Sequence, residues 1–131
     1  KKQINQSLEI FYLSMNYLKN KFPSSKIKII YIPSLPTIYE FNDPINTWSN
    51  YAKKKKFENV ITTRDQNEQN SLYVRESINQ YSIKNNLFYL DLTKSLQNFA
   101  KQNIIHGPID YGHFNKLGYE FFSKEILKSL N

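Results

Sequence analysis

The 131-residue sequence contains no cysteine, which excludes disulfides and thiolate metal ligation without assigning a compartment. No apolar run approaches the ~18 residues that a membrane span requires, which argues against a transmembrane segment. The N-terminus, Lys1-Lys2-Gln3-Ile4, leads straight into an amphipathic pattern, without the apolar core or small-residue cleavage site of a signal peptide. Arginine is nearly missing as well: Arg64 and Arg75 are the only two among 18 basic residues. The net charge of +7 invites a nucleic-acid reading, but the planar guanidinium forks that favour phosphate and base recognition are scarce. The run Lys53–Lys56 reads as solvated surface, and lysine beside abundant Asn and Ile follows AT-rich codon usage, so nucleic acid is not the expected partner. Two histidines without cysteine are a thin ligand supply, and no spacing suggests a metal site. No cofactor is expected.

What is present fits a soluble globular chain, with 40% apolar and 22% charged residues. The length suits one domain with a modest core, and no repeat, low-complexity tract or internal linker divides residues 1–131. Ile4, Leu8, Phe11, Tyr12, Met15, Leu18 and Phe22 recur at helical spacing until Pro23-Ser24-Ser25 stops them. Residues 27–32 (IKIIYI) form a short apolar, β-branched run suited to a strand covered on both faces. Pro33-Ser34-Leu35-Pro36 then reads as a loop. Asp43-Pro44 resembles a helix start, with Ile45, Trp48 and Tyr51 or Ala52 facing inward, and residues 57–63 fit a short strand or a loop. A helix is expected over about 70–85, with Val74, Ile78 and Tyr81 facing inward. Residues 87–92 (LFYLDL) form a second strand. Thr93 is placed to cap a short helix bearing Leu96, Phe99 and Ala100. A loop over 103–112 precedes a last helix from about Lys116, carrying Leu117, Phe121, Phe122, Ile126, Leu127 and Leu130.

Helices alternating with buried-type strands predict α/β architecture, with 27–32 and 87–92 as parallel neighbours or near neighbours. Two strands are fewer than the usual four to six of such a sheet. Half of a doubly wound domain is therefore expected. The other half would precede Lys1 or come from a partner chain, and the uncovered apolar face should promote association.

The chemistry concentrates at residues 107–119. Asp110 lies three residues before His113 on a glycine-bearing loop, where a carboxylate can accept the imidazole Nδ1–H and leave Nε2 as a base. Gly112 permits a positive φ if the turn needs one, and Asn115 is placed to cap the last helix and stiffen the junction. Without catalysis, Asp110 and His113 would be a helix-capping turn. His106 reads as a structural or solvent-facing loop histidine. Ser34 follows a strand's C-terminal end, the edge where α/β sheets bind ligands. It is a pocket-lining residue or a nucleophile, although Pro36 supplies no N–H for an oxyanion.

The block Asp110-Tyr111-Gly112-His113, with Phe114-Asn115 and Gly118-Tyr119 after it, resembles the closing Asp-x-x-His block of the SGNH (GDSL-type) hydrolase family. The preceding order of elements, with KIKIIYIPS and LFYLDL as strands, resembles the C-terminal half of that family's fold. The resemblance implies a three-layer flavodoxin-like parallel sheet and a Ser–His–Asp site that hydrolyses esters or transfers acyl groups. The substrate would be an O-acylated small molecule or carbohydrate. The family's nucleophile lies in an N-terminal Gly-Asp-Ser block, and its oxyanion Gly and Asn blocks are also upstream; this sequence has no such tripeptide. Residues 1–131 thus correspond to one SGNH-hydrolase-like domain or its C-terminal portion, supplying His113 as general base and Asp110 as its orienting group. The alternative is a binding or assembly module that keeps the fold without the nucleophile.

Overall fold

The computed structural model describes residues 2–39, 64–107 and 112–130. The expected helix after Asp43, the segment 57–63, the run Lys53–Lys56 and Asp110 lie outside the described residues. Over the described residues the order is α1 (Lys2–Lys21), β1 (Lys28–Tyr31), α2 (Leu35–Ile38), α3 (Arg64–Lys84), β2 (Phe88–Asp91), α4 (Thr93–Ala100) and α5 (Lys116–Leu130). The described residues are mixed α/β and mostly helical, 67%, with a two-stranded parallel sheet.

The two strands pair directly and in parallel, with Lys28 opposite Phe88 and Tyr31 opposite Asp91. Parallel partners need a crossover between them, and the chain between β1 and β2 provides it, ending in α3. Because strand side chains alternate, the pair buries both faces. Ile29, Tyr31 and Tyr89 join Leu8 and Met15 of α1 and Ile78 of α3 in one cluster. Ile30 and Leu90 join Ile38, Leu92, Leu96 and Ile105, against Phe121, Phe122 and Ile126 of α5, in the other. Each fully buried Leu or Ile contributes roughly 1.5–3 kcal/mol by leaving water.

Several expectations are refined here. α3 begins at Arg64 rather than near residue 70, since its first turns are polar and show no apolar period; Arg75 reaches back to Glu68 at 3.5 Å. Its end follows the rule for a left-handed C-cap. Asn86 takes φ 52°, and the N–H of Leu87 bonds the Ser82 carbonyl at 2.9 Å. Thr93 is the first residue of α4 and not its cap; the Asp91 carboxylate accepts the Thr93 N–H at 2.8 Å. The same carboxylate faces Arg75 at 3.4 Å, which ties β2 to α3.

The segment 33–36, expected as a loop, enters a helical turn. Ser34 stands at the N-cap and Pro36 in the first turn, where its missing N–H costs nothing. On α1, the predicted inner residues Leu8 and Met15 are buried, while Leu18 and, just past the helix end, Phe22 remain exposed. The opposite face carries Ile10, Leu13 and Tyr17 at 65%, 68% and 65% exposure. Leu117, Leu127 and Leu130 of α5 are likewise exposed. No helix among the described residues is long and apolar enough to cross a membrane.

Candidate active site

Both parallel strands run toward the same edge, where β1 delivers Ser34 and the chain beyond β2 delivers residues 104–107 and then 112–115. Three interactions of Asn115 fix that second approach. Its N–H bonds the Ile105 carbonyl at 2.9 Å, its Nδ2 bonds the Ile104 carbonyl at 2.8 Å, and its Oδ1 accepts the Gly118 N–H at 3.0 Å. One side chain therefore caps α5, as expected from sequence, and also clamps the helix to the segment leaving α4. An isolated antiparallel bridge joins His106 to Phe114. Gly107 adopts φ 71° as the chain turns away. The φ of Gly112 depends on Tyr111, outside the described residues.

A cleft of about 240 Å³ opens at this edge, lined by Pro33, Ser34, His106, His113, Phe114 and Phe122 among others. The fold thus brings Ser34 and His113 to one cleft, though they lie far apart in sequence. Both are exposed. A larger hollow, about 370 Å³, lies between α1 and α3, lined by Ile4, Leu8, Phe11, Val74 and Ile78 with Gln3 and Ser7. No ionisable side chain lines it, whereas the smaller cleft is lined by two histidines.

Ser34 is built as a wall. Its hydroxyl shares a hydrogen bond with Thr37 Oγ1 at 3.0 Å, and its carbonyl accepts the N–H groups of Thr37 and Ile38 at 2.9 and 3.1 Å. With Pro36 lacking an N–H, three of the four amides following Ser34 cannot serve as oxyanion donors.

His106, expected to be structural or solvent-facing, is 6% exposed. Its Nδ1 lies 3.1 Å from the Tyr39 hydroxyl, which also accepts the Ile105 N–H at 3.0 Å. Phe114 packs against the ring with centroids 4.6 Å apart. Burial holds the imidazole below the ordinary histidine range, because the charged form loses solvation. Neither Tyr39 nor the burial of His106 was visible in sequence. The two residues are separated by 67 positions, and no local spacing announces the pair.

Among the described residues, no group of three or more His, Cys, Asp or Glu side chains could hold a metal ion. No protein-family model, curated protein or solved structure matches the chain.

Proposed function

We propose that the chain carries the base arm of a serine-type acyl-ester site of the SGNH hydrolase kind, acting by hydrolysis or acyl transfer. His113 is the general base and acid, and Asp110, three residues earlier, orients it through Nδ1. The nucleophile comes from a Gly-Asp-Ser segment that residues 1–131 do not contain, and Ser34 forms the facing wall. The flavodoxin-like three-layer sheet belongs to the same proposal, with further strands extending the β1–β2 pair. The substrate is an O-acylated small molecule or carbohydrate.

The observation that carries this reading is the position of His113 in a cleft at the C-terminal edge of parallel strands. Ligands of α/β sheets bind at that edge. The clamp at Asn115 supports it, since a base must be held closely to be effective. The test is steady-state hydrolysis of a chromogenic acetate ester by the protein with the serine-bearing segment in place. His113→Ala is expected to lower turnover by several orders of magnitude, and Asp110→Asn by no more than that. Ser34→Ala is expected to keep most of the activity. Equal turnover in wild type and His113→Ala would leave a capping turn and favour the binding or assembly module.

A further inference from the structure

His106 has a ring nitrogen that the fold does not use. The ring is buried and lines the cleft together with His113. Nδ1 is engaged by Tyr39, while Nε2 makes no hydrogen bond among the described residues. Among the described residues, the buried side-chain polar atoms without a partner are Tyr89 Oη and Thr93 Oγ1; Nε2 of His106 is not one of these sealed atoms. It is therefore open to solvent, and the ring to which it belongs lines the cleft.

We propose that His106 is a substrate-binding residue whose Nε2–H donates to the carbonyl oxygen of the acyl group held in front of His113. In the proposed arrangement the Tyr39 hydroxyl, which accepts the Ile105 N–H, donates to Nδ1. The one proton of the neutral ring then sits on Nε2, facing the ligand. Burial supports this neutral form, and a neutral imidazole can polarise a carbonyl without surrendering a full charge. Phe114 and the antiparallel bridge hold the ring in place, so the donor is set before the ligand arrives. The inference rests on the acyl-ester reading for its ligand class, and its test is therefore a binding experiment that needs no turnover.

The probe is acetanilide, an unreactive acetyl carbonyl, titrated into the protein and followed by nitrogen-15 NMR of the histidine side chains. The expected spectrum places the His106 proton on Nε2, and that signal shifts on binding. Two variants separate ligand contact from structure. His106→Asn can keep a polar atom near the Nδ1 position and hence the Tyr39 bond, whereas His106→Gln can keep a donor near the Nε2 position. The expectation is about tenfold weaker binding for His106→Asn, the loss of one hydrogen bond, and near wild-type binding for His106→Gln. Where the acetate ester is turned over, the same order should appear in kcat. A proton on Nδ1, an unperturbed His106 signal up to saturating probe, or equal losses in both variants would overturn the inference. Absent ester turnover alongside a shifted His106 signal would instead count against the base arm at His113 and leave carbonyl binding standing.

Discussion

Gly118→Ala tests whether the α5 clamp is as tight as its geometry requires. Gly118 is buried, and a Cβ there would run into the Ile105 carbonyl oxygen and lie 3.0 Å from both Cβ and Cδ1 of Phe114. Neither neighbour can give way easily. The Ile105 carbonyl is fixed by the Asn115 N–H at 2.9 Å, and Phe114 is hemmed by His106 and Phe122. Overpacking a tight site costs ~1–3 kcal/mol, and a rigid backbone neighbour places this case at the upper end. Moving α5 aside weakens the two Asn115 bonds to Ile104 and Ile105, at ~1 kcal/mol for each one lost. Helix propensity returns ~1 kcal/mol when Gly becomes Ala. With about one bond lost, the net is a destabilisation of about 3 kcal/mol, which corresponds to a fall in Tm of about 10 °C. Thermal melting followed by far-UV circular dichroism reads it. An ordinary helical glycine would give the opposite sign, so an unchanged or raised Tm would refute the tight packing.

Asn115→Ala removes the cap of α5 and the tie to Ile104, and is expected to cost about 1–2 kcal/mol in chemical denaturation; a loss below 0.5 kcal/mol would contradict the clamp, a threshold of about half a typical hydrogen bond. Because burial lowers the pKa of His106, the unfolded chain binds a proton more readily than the folded one. This contribution to stability is fully present above the unfolded value of about 6.5 and is lost as pH falls through it toward the folded value. His106→Gln should therefore flatten the melting profile between about pH 7.5 and pH 5 relative to wild type, and parallel profiles would contradict the burial argument. The exposed stripe Ile10, Leu13 and Tyr17 on α1 should make sedimentation concentration-dependent, with Leu13→Glu reducing the effect; a wild-type protein sedimenting as an ideal monomer would refute that.

What the sequence made legible follows from where local patterns carry the information. β1 and β2 were visible because buried parallel strands read as continuous apolar runs, and their pairing followed from the helical pattern between them. The inner face of α1 at Leu8 and Met15 followed from helical period. The first turns of α3 were hidden, since Arg64 to Gln69 have no apolar residue to set a phase. The turn at Leu35–Ile38 was hidden behind two prolines that usually mark a loop, although Pro36 in a first turn obeys the same backbone rule. At the site, Asn115 was legible as a cap because capping is local. Its bonds to Ile104 and Ile105 were not, because they depend on how α4 and α5 meet. Ser34 and His113 were expected at one edge because both follow strand ends, whereas the bond from Tyr39 to His106 arises only from the three-dimensional path.

The central claim, that His113 activates a serine toward acyl esters, is tested most directly by covalent labelling with a fluorescent fluorophosphonate. In the protein with the serine-bearing segment in place, the account predicts stoichiometric labelling of one serine, mapped by mass spectrometry to a Gly-Asp-Ser sequence. Labelling should fall by orders of magnitude in His113→Ala, since the hydroxyl then lacks its base. Labelling of wild type and His113→Ala at the same rate, or no labelling of the wild type at all, would contradict it.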